Sequence, residues 1–232
     1  MKRILALFLT FIITVATLTS CSSSSCDYNS TSNCTETVEC EVLALDFFPL
    51  SDGTYAVSSG NAIYLKNIVI PEIYNGKKVT TILNKGFGCD YLLSIDNRPI
   101  ELISITLPDS ITNIGEFAFA YCDSLTSINI PDSVTSIGYR AFKDCKSLAS
   151  ITIGKGVTHI VQELFDNCTG LTSVTIPNTV TIIDNSVFSN CTSLTTINYC
   201  GTEEQWNAIS KGEYWNSGVP GGCEIIFNYT GE

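Results

Sequence analysis

Residues 125–145 read LTSINIPDSVTSIGYRAFKDC and contain one full unit of the pattern from which most of the chain is built. The L-x-x-I-x-I opening predicts a short strand with Ile128 and Ile130 on one face. A turn follows at Pro131, because proline cannot donate a hydrogen bond to a sheet ladder. The chain then returns along a far wall, whose inside is filled by Phe142 and its apolar neighbours.

This unit recurs at a step of 23 residues. Four columns of identical residues keep the step: Cys122, Cys145, Cys168 and Cys191; Phe119, Phe142, Phe165 and Phe188; Leu102, Leu125, Leu148, Leu171 and Leu194; Ile114, Ile137, Ile160 and Ile183. A fixed period in the twenties is typical of a solenoid. A single coil cannot bury its apolar face alone, so successive coils are expected to stack.

The segments on either side of the repeats are predicted to be caps. Residues 41–101 form an N-terminal cap and a degenerate repeat, with hairpin turns at Asp52-Gly53 and Asn75-Gly76. Residues 200–232 form a C-terminal cap, in which a capping box at 202–205 opens a short helix before a final strand. Trp206 stands 23 residues after Ile183 and is expected to take its place in the last coil.

The columns L-x-x-I-x-I-P-x-x-V-x-x-I-G-x-x-A-F-x-x-C resemble the BspA-like leucine-rich repeats of bacterial surface proteins. The clear match covers residues 102–199, and a degenerate copy at 68–95 extends it. The third unit departs from the pattern, because Gly154 replaces the proline. The resemblance implies a β-rich leucine-rich repeat solenoid, with short strands, turns and short helical segments on the far wall. A β-hairpin cap and a helix-plus-strand cap would close its ends.

The N-terminus has the features of an export signal. Two basic residues precede an uncharged apolar run of 15 residues, Ile4 to Leu18, too short for a permanent membrane span. Leu18-Thr19-Ser20-Cys21 resembles the lipobox of bacterial lipoproteins. Residues 1–20 are therefore predicted to be a signal peptide and Cys21 the lipidation site, although an ordinary signal peptide cut nearby is the alternative. Residues 21–40, rich in Ser, Thr and Cys, are predicted to be a flexible tether.

The composition argues against nucleic-acid binding, metal binding and catalysis. A formal net charge of −11 is unfavourable for nucleic-acid binding, and no cofactor is expected. The single histidine, His159, is interpreted as a surface residue, and the sequence contains no catalytic or metal-binding motif that would support an enzyme. The periodic cysteines are interpreted as buried free thiols rather than disulfides. Cys200 and Cys223 stand outside the 23-residue register and are a possible disulfide closing the C-terminal cap.

A binding role remains. The outward strand positions carry small neutral residues such as Ser127 and Asn129, which favour a soluble sheet over a recognition surface. The residue types that dominate protein affinity lie in loops and in the cap; they are Arg98, Tyr121, Tyr139, Tyr214 and Trp215. The resemblance implies a surface-exposed lipoprotein, anchored in the bacterial envelope, that binds an extracellular protein in adhesion to host or neighbouring cells. The alternative is a glycan-binding or passive structural envelope component.

Overall fold

The computed structural model describes residues 45–60, 62, 65–88 and 102–231. The predicted signal peptide, the lipidation site Cys21, the tether and the candidate anchor Arg98 lie outside the described residues. No helix within these described ranges has the length and apolar character required to cross a membrane.

Sixteen short strands and one helix make up the regular structure of this part of the chain. In chain order they are β1 (Asp46–Pro49), β2 (Tyr55–Ser58), β3 (Asn67–Val69), β4 (Ile73–Tyr74), β5 (Lys77–Ile82), β6 (Ser104–Thr106), β7 (Asn113–Ile114), β8 (Ser127–Asn129), β9 (Ser136–Ile137), β10 (Ser150–Thr152), β11 (His159–Ile160), β12 (Ser173–Ile176), β13 (Ile182–Ile183), β14 (Thr196–Tyr199), α1 (Glu203–Ala208), β15 (Ser210–Lys211) and β16 (Glu224–Ile226).

One wall of the solenoid is a seven-stranded parallel sheet, here named the long sheet, in the order β16-β14-β12-β10-β8-β6-β3. The 23-residue period keeps its strands in register, so Ser150 pairs with Ser127 on one side and with Ser173 on the other. From β3 to β14, the strand position equivalent to Ile128 and Ile151 points inward and is buried, whereas Ile225 in β16 is half-buried. The sequence prediction of stacked repeat strands is confirmed.

The second wall contains the two-residue strands β7, β9, β11 and β13, each of which follows the turn after a strand of the long sheet, together with β15 and the longer strands β1, β2 and β5 near the N-terminus. It consists of a sheet in the order β1-β2-β5-β7-β9 and a separate sheet in the order β11-β13-β15. No strand pairing joins β9 to β11, although the long sheet continues without a break at the same junction.

The third wall, named the turn wall, contains turns where the sequence predicted short helical segments. Each coil places two residues in the left-handed region, such as Arg140 (φ 55°) and Asp144 (φ 59°). These reversals prevent a continuous helix, and they direct backbone N–H groups toward the following coil. The N–H of Phe119 thus donates to the carbonyl of Ala141 at 2.8 Å. The wall is held together between coils rather than within them.

The core repeats with the coils. Buried phenylalanines stack along the solenoid with ring centroids 5.2–5.8 Å apart. The cysteines beside them are buried, as predicted. Dry, close-packed contacts between identical side chains explain why these columns repeat in the sequence.

Both caps contain the predicted elements. The hairpin of β1 and β2 pairs through β2 with β5, and Asn75-Gly76 forms the tight turn between β4 and β5. At the other end, Thr202 and Gln205 form the capping box of α1. Trp206 is buried on that helix, against Tyr199 at 5.2 Å between ring centroids.

The register prediction for Trp206 was wrong. β15 pairs Lys211 with Ile183, so the last coil is 28 residues long and Lys211 occupies the isoleucine position. The helix accounts for the difference, since it replaces a tight turn and needs more chain. The Lys211 ammonium donates to the carbonyl of Trp206 at 2.5 Å and lies over its ring, 4.7 Å from the centroid.

Candidate interaction surface

From β6 to β14, the outward face of the long sheet is a lattice of small neutral side chains. At the border of β8, β12 and β14, threonine hydroxyls bond to the previous coil, as in Thr172 to the carbonyl of Ala149 at 2.9 Å and Thr195 to that of Thr172 at 3.2 Å. These hydroxyls hold the coils together. The border threonines therefore have a structural role.

A charged ridge, defined here as Tyr139, Arg140, Lys143, Glu163 and Asp166, runs along the turn wall. The Arg140 guanidinium bonds to Glu163 through Nη2 at 2.6 Å and Nε at 2.7 Å. It also lies 4.6 Å from the ring centroid of Tyr139, whose hydroxyl donates to Glu163 at 3.2 Å. Lys143 pairs with Asp166 in the same way between coils.

The charged side chains of the ridge are paired with one another. Partial burial raises the pKa of the Tyr139 hydroxyl. Partial burial would also raise the pKa of Glu163, but the hydrogen bond and charge of Arg140, with hydrogen bonds from Gln162 and Tyr139, together outweigh it and hold that pKa below its ordinary value. The charges of the ridge are consequently matched to one another and serve first to join adjacent coils.

The structure separates the predicted anchors into exposed and packed groups. Tyr121 and Tyr139 are half-buried on the turn wall, and Tyr214 is 73% exposed at its C-terminal end. Trp215 instead faces the core, where its ring meets Phe188 at 6.1 Å and Trp206 at 5.9 Å between centroids. Trp215 takes the register position of Val187, and its ring packs against the last ring of the phenylalanine column, so its expected role as a partner-binding residue is corrected to packing.

Cys200 and Cys223 are not brought together, and both are free thiols. β14 pairs Thr196 with Glu224, which sets Cys223 beside residue 195, five positions before Cys200. At about 3.3 Å per residue of extended chain, that offset is roughly 15 Å, well beyond disulfide reach. The disulfide was predicted from the positions of these cysteines in the sequence alone, and the strand register places them too far apart to form it.

Sequence reasoning missed the charged ridge, although a signal for it exists. Opposite charges stand one period of 23 residues apart in the pairs Asp123–Lys146, Asp132–Lys155, Arg140–Glu163 and Lys143–Asp166. All four pairs form ion pairs in the structure. A search for complementary charges at the repeat spacing would have found them.

The described residues offer little for catalysis. Within the described ranges, no group of three or more His, Cys, Asp or Glu side chains is arranged to hold a metal ion. His159 is exposed, as predicted, and its Nε2 lies 2.9 Å from Asp184. An open groove of ≈ 540 Å³ crosses the second wall beside Asn84 and Glu116. The side chain of Asn84 already has a hydrogen-bond partner within the protein, since its Oδ1 accepts a hydrogen bond from the N–H of Glu116 at 2.9 Å.

Parallel strands stacked at a constant register, with columns of leucine and phenylalanine inside, define a leucine-rich repeat solenoid, a class of non-enzymatic protein–protein interaction modules. Within that class, the family model of the BspA type leucine rich repeat region matches residues 96–211 in six copies. The chain belongs to this family.

Solved structures agree on the fold. A leucine-rich repeat protein of T. pallidum is 23% identical with a TM-score of 0.60, and the match covers 80% of this chain and 83% of that one. A leucine-rich repeat protein of Eubacterium ventriosum is 20% identical with a TM-score of 0.53, covering 75% of this chain and 50% of that one. No curated protein matches the chain.

Proposed function

We propose that this protein is an exported, non-enzymatic lipoprotein whose leucine-rich repeat domain binds an extracellular protein, in adhesion to host or neighbouring-cell components. The observation that carries the proposal is the joining of an export leader ending in Leu18-Thr19-Ser20-Cys21 to a repeat domain of the BspA type. A stiff repeat domain that follows a leader directing it to a membrane surface is suited to presenting a binding surface outside the cell.

The binding surface in this proposal is the exposed end of the turn wall. The lattice of the long sheet lacks large side chains, and the ridge charges are satisfied by one another. Tyr214 is the most exposed of the large hydrophobic side chains in the described part of the chain. Tyrosine supplies a large contact area with one polar group, which is why it is enriched among residues that dominate protein affinity.

Lipidation at Cys21 is the second part of the proposal. Acyl chains on that thiol would hold the protein to a membrane, and several chains give a stable anchor where one gives a marginal one. Expression of Cys21→Ser in a bacterial host tests it, because the variant is expected to leave the membrane fraction. A variant that stays with the membranes would contradict the anchor.

Binding is tested by capture on immobilised protein, using the chain from residue 21 onward with Cys21→Ser. Extracellular-matrix proteins, envelope proteins and polysaccharides are applied, and retained molecules are identified by mass spectrometry. A saturable protein ligand that is lost with Tyr214→Ala and kept with Phe48→Ala supports the proposal; Phe48 is a matched exposed aromatic at the opposite end. Retention of polysaccharide alone would favour glycan binding, and retention of nothing would favour a passive envelope component.

A further inference from the structure

The last strand of the long sheet has an open edge. β16 pairs with β14 on one side, and no strand lies on its other side within the described ranges. The N–H of Glu224 donates inward to the carbonyl of Thr195 at 2.8 Å. Because N–H groups alternate in direction along a strand, the N–H of Ile225 points away from the sheet. An open edge of this kind is a template for another strand.

The outward side chains of β16 differ from those of every other strand in the long sheet after β3. The lattice columns contain only hydroxyl and amide residues, namely Ser104, Ser127, Ser150, Ser173 and Thr196 in one, and Thr106, Asn129, Thr152, Thr175 and Asn198 in the other. β16 continues these columns with Glu224 and Ile226. Ile226 is 43% exposed. A carboxylate and a branched apolar side chain therefore stand on the outward face of the edge.

The end of the molecule around β16 is acidic. Residues 200–231 contain four glutamates, all exposed, and a single lysine. That lysine, Lys211, is already held by the carbonyl of Trp206 and its ring. Residues 45–88, at the opposite end, contain four lysines against three carboxylates. The negative balance of the β16 end disfavours a second copy of β16, because the pairing would bring two acidic ends together.

We propose that β16 binds an extended, basic polypeptide segment by strand addition. The segment would bond to the outward backbone groups of Ile225, place a lysine or arginine beside Glu224 and lay an apolar side chain against Ile226. Backbone bonds give affinity in this mode, while the side chains of alternate positions give selectivity. The inference rests on the proposed function and names the class of protein segment that the domain binds.

A labelled nine-residue peptide of alternating lysine and valine is the probe, and its fluorescence anisotropy is measured with the chain from residue 21 onward carrying Cys21→Ser. We expect saturable binding that falls at least tenfold with Glu224→Lys, and the variant is expected to bind the glutamate–valine counterpart instead. Glu72→Lys, at the opposite end, changes the net charge equally and is the control. Equal losses with both variants would show non-specific attraction to an acidic protein and overturn the proposal.

The backbone contact is tested at Ile225. Ile225→Pro removes the outward N–H, while Ile225→Ala removes the same packing and keeps the N–H. We expect the proline variant alone to lose the peptide, with circular dichroism confirming that both variants are folded. Equal affinity of the two variants would overturn strand addition. Either failure leaves the proposed adhesion function standing, because the capture experiment reads ligands that bind elsewhere on the domain.

Discussion

The Sγ of Cys145 lies 3.1 Å from the carbonyl oxygen of Phe119, in the preceding coil, and donates a hydrogen bond to it. The same bond joins Cys122 to Phe87, Cys168 to Phe142 and Cys191 to Phe165, at 3.0–3.3 Å. Each bond gives a buried carbonyl a partner from the next coil. The cysteine column is therefore a set of inter-coil bonds, which explains why a small thiol, rather than alanine, is repeated.

The first prediction concerns thiol reactivity. Burial raises the pKa of Cys145 and of Cys191 well above the ordinary value, and the thiolate is the reactive form. We expect Cys122, Cys145, Cys168 and Cys191 to resist iodoacetamide at pH 8 in the native protein, while the half-buried Cys200 and Cys223 are modified. Peptide mass spectrometry measures it, and guanidinium unfolding is the control that should expose all six. Rapid native modification of Cys145 would contradict the packing described.

A second prediction concerns the phenylalanine column. Phe142 is fully buried between Phe119 and Phe165, with centroids 5.2 and 5.8 Å away. Phe142→Ala leaves a cavity and is expected to lower the free energy of unfolding by about 3–5 kcal/mol. Denaturant titration followed by circular dichroism measures the loss. The exposed Phe48→Ala is expected to cost much less, and equal effects would refute a continuous core.

The charged ridge supports a prediction about acid. The Arg140 guanidinium keeps the pKa of Glu163 below its ordinary value, so the stabilisation from this carboxylate is complete above pH 4.5 and is lost as the pH falls further. Glu163→Gln is expected to lower the free energy of unfolding at pH 7 by about 1–2 kcal/mol. The penalty should shrink toward pH 3. Thermal melts across this range measure it.

The control for this acid prediction is Glu116→Gln, which changes an exposed carboxylate. A penalty for Glu163→Gln that stays constant from pH 7 to pH 3 would mean that the carboxylate acts through packing and not through its charge.

A further prediction is that replacement by glycine has opposite effects on stability at a left-handed position and at an extended one. Ser186 has φ 57°, a conformation that costs a residue with a Cβ about 1–2 kcal/mol and costs glycine almost nothing. Ser186→Gly is therefore expected to raise the free energy of unfolding by a few tenths to about 1 kcal/mol. Ser127→Gly, in an extended strand, is expected to lower it by about 0.5–1 kcal/mol. Denaturant midpoints compare them, and the same sign for both would exclude this explanation.

The sequence was sufficient to predict the structure of the repeated coils, but it was insufficient for the parts of the chain that do not repeat. A column such as Phe119 to Phe188 constrains the fold at four places at once, so strands, core and stacking could be predicted. The last coil has no such redundancy. Trp206 matched the isoleucine step numerically, but α1 inserted five extra residues and moved Lys211 into that position.

The candidate site was predictable only in part. Tyr214 is exposed, whereas the next residue, Trp215, packs inward. This difference follows from the left-handed backbone at Tyr214 (φ 56°), which the residue type does not predict. The pairing of Cys200 with Cys223 failed because it depended on strand register, which spacing in the sequence does not fix. The charged ridge was readable in principle, since its partners stand one period apart.

The missing pairing between β9 and β11 has a mechanical consequence. A surface protein held at one end and loaded at the other is stretched along the direction in which its coils stack. At most coil junctions of the repeat region that force is shared by three bonded walls. At the β9–β11 junction the second wall has no strand pairing, so the long sheet, the turn wall and the bonds between Lys155 and Asp132 carry the force. Under load, we expect the solenoid to yield first at this junction, which would lengthen the protein.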